Sequence, residues 1–494
     1  MTAPAPLLMP IWGGQDEPAL GPAADRPWKH RRVVLLAMPT PHAEEPALDV
    51  PLGLCYLSAV LKTAGFPGDV RLVDFNTRKD FDYYSEGKEY LQAIPLDGDF
   101  YGIQILSTQL WWAIEVCRYL RGAVPGAAIV IGGPHCDTEW ESALKDTDAD
   151  AVVSGEAEGI IEELVRDGWE RFGKVIYGGL YHDVDELSFP DRSIAPDLEA
   201  YNRTLLGERA FHVISGRGCV KRCSFCASER HGSMRLRSPE NFVAEIQHCI
   251  ETYGVRHFVF VDDIFTVKPT RLLRMCDLLE PLKIRFRCWA RVDMVNDEIL
   301  MALKRAGVVS ITFGVEHFDD RMLKLMQKDV TSGQNKAALK LCKTHGINAR
   351  CSLIFGHPGE TMESVDAMIA AVEEVQPDEW WVSTFIPIPG SPTWADPKKF
   401  GFRVSQVAVQ ERKMQDFYLM GGPGRGGVVV QIDSMPDPQE FLETREYLLR
   451  RLQEVCPRKV IQDTSQQIQR YDWQRDWVTK HLLEEFEKLG PALR

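Results

Sequence analysis

The 494-residue sequence has no apolar run approaching the ~20 residues that a helix needs to cross a bilayer. It has no basic excess either: Asp and Glu outnumber Lys and Arg by 71 to 57, for a formal net charge of -14. Nucleic acid or an anionic membrane would not attract such a chain, so neither is expected as a partner. The run Met1-Thr-Ala-Pro-Ala-Pro-Leu-Leu lacks the basic and long apolar segments of a secretory signal, which points to a cytoplasmic protein. Of 12 cysteines, most are scattered with no disulfide-framework spacing. Cys55, Cys117, Cys136, Cys249, Cys276, Cys288, Cys342, Cys351 and Cys456 sit mostly in apolar periodic segments and read as small core hydrophobes. An apolar content of 45% over this length is enough for about three domain cores.

The other three cysteines lie together in Ser215-Gly-Arg-Gly-Cys-Val-Lys-Arg-Cys-Ser-Phe-Cys-Ala. No fourth cysteine stands beside Cys219, Cys223 and Cys226. Structural zinc takes four ligands in a closed tetrahedron. An iron–sulfur cube on three thiolates leaves one iron open to a ligand from outside the protein. This C-x3-C-x2-C run, with Phe225 ahead of its last cysteine, resembles the radical S-adenosylmethionine (SAM) enzymes. The resemblance implies a 4Fe-4S cluster on the three cysteines, with SAM chelating the open iron. It also implies an external electron donor, of flavodoxin or ferredoxin type or a dedicated reductase.

A Pro-, Ala- and Gly-rich tail over residues 1–30 precedes a first domain expected over 31–190. Short apolar runs beginning at Val33, Val70, Tyr101, Ala128 and Ala151 alternate with amphipathic stretches such as Leu52 to Ala64 and Leu110 to Arg121. That alternation predicts a doubly wound parallel sheet, an α/β fold whose ligands bind beyond the carboxyl ends of the strands. Small residues follow those strands, which lets backbone approach a ligand closely. The phrases Pro51-Leu-Gly-Leu-Cys-Tyr, Gly132-Gly-Pro-His and Gly155-Glu-Ala-Glu resemble the cobalamin-binding domain that precedes the radical SAM domain in one subfamily. This implies that Gly53, Ser107, Thr108, Gly132, Gly133, Gly155 and Glu156 line a cofactor site. Some members look as if they keep the domain without using the cofactor, so cobalamin itself stays open. No D-x-H-x-x-G motif exists, so no histidine ligand to cobalt is expected; His135 reads as part of a loop turn.

Two prolines in Leu187-Ser-Phe-Pro-Asp-Arg-Ser-Ile-Ala-Pro-Asp mark a linker, taken as 191–210. Over 211–400, further strands interleave with helices such as Pro239 to Tyr253 and Thr361 to Val375. About six units, where a closed eight-unit barrel takes ~250 residues, predict a partial (β/α)6 barrel, as the radical SAM family has. Its strand ends carry the remaining candidates. The resemblance implies that Asp262 and Asp263 hold the amino group of SAM, although Asp262 also fits a helix N-cap. Arg291 fits the SAM carboxylate, or equally an ion pair with Asp293. Gly314 and Glu316 fall where the family contacts SAM, and Gly356 in Phe355-Gly-His-Pro-Gly-Glu-Thr where backbone approaches the adenine. Glu360 reads as a charge at a helix start.

Residues 401–494 are expected to be mainly helical: Val404 to Met420, Pro438 to Glu454 with Asp437 as cap and Glu440 completing a box, and Ser465 to Leu489. The glycine-rich stretch from Gly421 suggests a lid.

These features together predict an enzyme that cleaves SAM to a 5′-deoxyadenosyl radical and abstracts hydrogen from a small-molecule substrate. Cobalamin-dependent methylation in natural-product biosynthesis is the leading expectation. The alternative is a cobalamin-independent dehydration or rearrangement, such as diol dehydration of an aminosugar. A non-catalytic cobalamin or metal carrier conflicts with SAM-contact phrases on five strands. No catalytic acid, base or hydrogen donor stands out.

Overall fold

The computed structural model describes residues 26–40, 48–78, 88–227, 234–404 and 430–457. The first sheet has six strands: β1 (Arg32–Ala37), β2 (Asp69–Asp74), β3 (Phe100–Gln104), β4 (Ala128–Gly132), β5 (Ala151–Gly155) and β6 (Val175–Gly179). They lie in the order β2-β1-β3-β4-β5-β6, every pair parallel. The sequence pattern picks out five of them; β6 has only Ile176 fully buried and lies at the sheet edge, so its apolar signal is weak. Strand β1 shows why such a sheet is covered on both faces. Val34 and Leu36 join one core with Trp112 and Val116, while Val33 and Leu35 join another with Leu61 and Leu164. The first core is capped by α2 (Leu110–Ala123) and α3 (Trp140–Asp146), the second by α1 (Leu52–Thr63) and α4 (Ile161–Asp167).

The second sheet runs β15-β14-β13-β12-β11-β8-β7. Its strands are β7 (Thr204–Leu205), β8 (Glu208–Val213), β11 (His257–Phe260), β12 (Arg285–Ala290), β13 (Val308–Glu316), β14 (Asn348–Phe355) and β15 (Glu379–Thr384). All neighbours are parallel except β7 and β8, which form a hairpin. Strands β15 and β7 stand at opposite edges, so the six β/α units make an open barrel. The hairpin begins in the stretch expected to be linker, where Leu205 and Ala210 are buried. Between β8 and β11, a two-residue ribbon pairs β9 (Gly216–Arg217) with β10 (Arg235–Leu236). The helices are well signalled. Ser238 caps the helix Pro239–Tyr253 by accepting from Asn241 N–H, and Gly254 ends it at φ 68°.

Beyond the barrel, among the described residues, β16 (Phe402–Val404) and β17 (Val430–Ile432) form an antiparallel pair. The helix Pro438–Val455 is present, and its cap Asp437 accepts from Gln439 N–H at 2.9 Å. It packs beside the helix Met362–Val375, and Trp380 Nε1 donates to Cys456 O at 2.9 Å. The glycine-rich stretch from Gly421, the Ser465–Leu489 helix and nearly all of Val404–Met420 lie outside the described residues.

Candidate functional site between the two sheets

A cavity of about 360 Å³ opens beside the carboxyl ends of β3, β4 and β5 and reaches the ends of β8 and β11. Leu35, Phe100, Val130 and Val153 form its sheet wall, Leu52, Leu54 and Leu57 of α1 and Leu164 of α4 its helical wall, and Ile214, Arg217, Val261 and Asp263 its barrel side. Gly53, Gly132, Gly133, Gly155 and Glu156 all line it. Two of these glycines are compelled by backbone. Gly133 and Gly155 have φ of 100° and 97°, and a Cβ on Gly155 would stand 2.8 Å from Gly179 O. Gly53 is different: its Cβ would meet nothing nearer than Gln104 Nε2 at 3.8 Å, so its smallness leaves room in the cavity.

Ser107 and Thr108 are placed differently from the glycines. They lie in the turn Ser107–Gln109, off the cavity wall, where Ser107 Oγ is 3.0 Å from His135 Nδ1. The chain turns there toward α2, and the Ser107–His135 contact ties the β3 loop to the β4 loop. Glu156 departs in its chemistry. Its carboxylate accepts from Arg235 Nη1 and Nη2 at 2.6 and 2.9 Å and from Tyr181 N–H at 2.6 Å, and Arg217 Nη1 is 3.1 Å away. Burial would raise its pKa, but the two guanidiniums hold it below the usual carboxylate range.

The cysteine loop follows β9. Cys223 is buried, and Cys219 and Cys226 are partly exposed. Ser224 N–H donates to Met326 O at 2.9 Å, Thr393 N–H donates to Ser224 O at 3.0 Å, and Ser224 Oγ meets His357 Nε2 at 3.0 Å. Burial pushes the Cys219 and Cys223 thiols up; Lys328 and Arg291 oppose this at Cys223. Metal uptake must therefore displace thiol protons. Three thiols on one loop form a soft donor set of the kind iron–sulfur clusters use, each thiolate taking a separate iron. Among the described residues, no group of three or more His, Cys, Asp or Glu is arranged to hold a single metal ion.

The other strand-end candidates are placed unevenly. Asp263 lines the cavity, whereas Asp262 turns inward and accepts from Ser215 N–H at 3.1 Å and Ser215 Oγ at 2.7 Å. Asp262 thus ties β11 to β8 and neither caps a helix nor faces the cavity; burial pushes its pKa up to about 6. Arg291 makes the ion pair, with Nε 2.9 Å from Asp293 Oδ1 and Nη2 donating to Lys328 O at 2.8 Å. These contacts engage its Nε and Nη2. Glu316 has φ 64° and pairs with Lys328 Nζ at 2.9 Å, beside the Phe225 ring. Gly314 makes room for that pair, since a Cβ there would fall 2.4 Å from Glu316 Oε1 and 3.0 Å from Lys328 Nζ. Gly356 packs against the C-terminal helix. Its Cβ direction, at φ 80°, is filled by Phe441 of the C-terminal helix at 2.5 Å, and its N–H donates to Glu360 Oε2 at 3.2 Å. Glu360 stands just ahead of the cap of the helix Met362–Val375, is wholly buried, and also meets His317 Nε2 at 3.2 Å.

Sequence reasoning missed Lys328, Ser224, His357 and Arg235. Ser224 lies between Cys223 and Cys226, and His357 within the phrase Phe355-Gly-His-Pro-Gly-Glu-Thr; Lys328 and Arg235 reach the site from other segments.

Residues 213–372 match the radical SAM superfamily, and residues 48–165 match the B12 binding domain. The chain is 28% identical over 390 residues to an uncharacterized methyltransferase of Pyrococcus horikoshii, covering 74% of this chain and 83% of that protein. It is 27% identical over 371 residues to the anaerobic magnesium-protoporphyrin IX monomethyl ester cyclase of Cereibacter sphaeroides, covering 70% of this chain and only 60% of the cyclase. Its fold is shared with the radical SAM methyltransferase TsrM from Kitasatospora setae, solved with cobalamin and a [4Fe-4S] cluster. That match has a TM-score of 0.64 at 17% identity and covers 86% of this chain and 89% of the other. An open barrel with a three-cysteine loop after its first parallel strand defines a radical SAM enzyme. The chain belongs to the radical SAM superfamily, among those members that carry a B12-binding domain ahead of the barrel.

Proposed function

We propose that this enzyme methylates a small molecule in natural-product biosynthesis, with cobalamin as the methyl carrier and SAM as the source of both methyl group and radical. The observation that carries the reading is a cavity lined by strand ends of both sheets, with Gly53 and Gly132 on one side and Gly218 and Asp263 on the other. Methyltransferases among the relatives and structural neighbours support it. When bound, the cluster and SAM supply a 5′-deoxyadenosyl radical, and cobalamin supplies a methyl group.

The chain's own residues bind, orient and exclude water. Cys219, Cys223 and Cys226 hold three irons. The Glu316–Lys328 pair beside Phe225 offers one charge of each sign to the zwitterionic end of SAM. Asp263 presents a carboxylate toward an ammonium from the cavity side. Leu35, Leu52, Val153 and Leu164 make the cofactor side apolar, which keeps water from a radical intermediate. The electron comes from an external low-potential protein.

The test is to load the enzyme anaerobically with iron, sulfide and cobalamin, then add SAM, reductant and candidate substrates. Methylation requires one S-adenosylhomocysteine for each methyl group delivered, alongside 5′-deoxyadenosine. Substrate turnover with 5′-deoxyadenosine alone, in cobalt-free protein, would replace this reading with dehydration or rearrangement.

A further inference from the structure

Between the two sheets runs an ion-pair network whose members come from the two loops that flank the cavity. Arg217 stands two residues before Cys219 on β9, and Arg235 is its register partner on β10. Both reach across to the loop after β5. Arg217 Nη2 donates to Glu158 Oε1 at 2.7 Å and Nη1 lies 3.1 Å from Glu156 Oε1, while Arg235 makes its two-pronged contact with Glu156. Arg235 Nη1 also donates to Tyr181 O at 2.8 Å, and the Arg217 guanidinium lies over the Tyr56 ring of α1 at 5.1 Å.

The side chains of Arg235 and Glu158 are 5% and 8% exposed, and those of Arg217 and Glu156 are 17% and 13% exposed. Two positive and two negative groups thus balance in a setting that water screens poorly. A two-residue ribbon has little stability of its own. β9 and β10 are held by this network, by Asp262 and Arg271 Nη2 on Ser215, and by Arg237 N–H donating to Ser215 O at 3.0 Å. The segment Gly155–Glu158 and the segment Gly216–Gly218 both line the cavity, so the same four side chains locate both walls.

We propose that Arg217, Arg235, Glu156 and Glu158 are positioning residues that hold the cofactor loop of the first domain at a set distance from the cysteine loop. They thereby govern how SAM is partitioned between methyl donation and radical formation. Methyl donation needs SAM, bound at the barrel, to be reached from the first domain. Radical formation needs only the barrel and its cluster. A loosened network should therefore depress the first more than the second. This partition rests on the methylation reading above; the mechanical claim does not.

Two measurements separate them. Hydrogen–deuterium exchange on the full chain without cofactors compares wild type with Arg217→Met, Glu158→Gln and the conservative Arg217→Lys. Faster exchange is expected in segments 153–160 and 214–218 together, by about tenfold for Arg217→Met, with Arg217→Lys close to wild type. Exchange that rises in only one segment, or in neither, would overturn the clamp. In the loaded enzyme, S-adenosylhomocysteine per 5′-deoxyadenosine should fall about tenfold in Arg217→Met, with iron per chain measured alongside. An unchanged ratio would overturn the partition role. If wild type forms no S-adenosylhomocysteine, the methylation reading and the partition role that rests on it both fail, and the exchange data still decide the clamp. If Arg217→Met does not fold, Glu158→Gln carries both comparisons, because it removes one charge and keeps the side-chain shape.

Discussion

Ser224 Oγ lies 3.0 Å from His357 Nε2, joining the cysteine loop to the turn after β14 through a fully buried contact. His357 Nδ1 is 3.1 Å from Pro358 O, so that nitrogen carries the proton and Nε2 accepts from the serine hydroxyl. Burial pushes the His357 pKa down to about 4, so the ring is neutral near pH 7.

Asp262 and His357 should make opposite contributions to stability in acid. The imidazole, lowered from 6.5 to about 4, contributes stability that is full above pH 6.5 and is lost as pH falls through 4. The carboxyl, raised from 3.8 to about 6, contributes stability that is full below pH 3.8 and is lost as pH rises through 6. Each spans about 3 kcal/mol at most. Denaturant titrations of the cofactor-free chain between pH 4 and 6.5 should show partial cancellation in wild type. His357→Gln should become relatively more stable on acidification, and Asp262→Asn relatively less. Parallel pH curves for the two variants would refute the opposed assignment.

Gly314→Ala should weaken SAM binding while the iron content stays near wild type. The added methyl would collide with Glu316 Oε1 and crowd Lys328 Nζ, forcing apart a buried pair. Overpacking of this kind costs about 1–3 kcal/mol of stability. Thermal melts and equilibrium SAM binding check it; wild-type values in both would mean that the pair relocates freely.

Gly356→Ala should undock the C-terminal helix, since its methyl would strike the Phe441 ring and its φ of 80° strains any side chain. A loss of about 1–3 kcal/mol is expected. Adding Phe441→Ala should return part of that loss, because it removes the collision and leaves only the backbone strain. Strict additivity of the two changes would show that Phe441 is not the obstacle.

Alanine at Cys219, Cys223 or Cys226 should abolish binding of about four irons per chain. Cys351→Ala, in the barrel core, should keep the iron and lose about 1 kcal/mol or more of stability. Iron and sulfide assays with melting curves distinguish these outcomes. Full iron in a Cys223→Ala variant would remove that residue from the ligand set.

The amino-acid order alone determined the elements that depend on near neighbours. Runs such as Val33-Val-Leu-Leu, buried on both faces of β1, announce a covered parallel strand, because their side chains alternate between two cores. The spacing of Cys219, Cys223 and Cys226 likewise puts three thiols on one loop whatever the rest of the fold does. The Arg291–Asp293 pair was legible as an alternative because its partners are two residues apart. Tertiary structure alone decided which strand-end groups face the cavity and which face each other. Glu156 finds Arg235 from 79 residues away, Gly356 meets Phe441 of a separate helix, and Lys328 reaches Glu316 across an intervening helix. A buried carboxylate is settled by whichever cation the folded chain brings within hydrogen-bond reach. That encounter is set by the packing of whole layers, and local sequence spacing does not encode it.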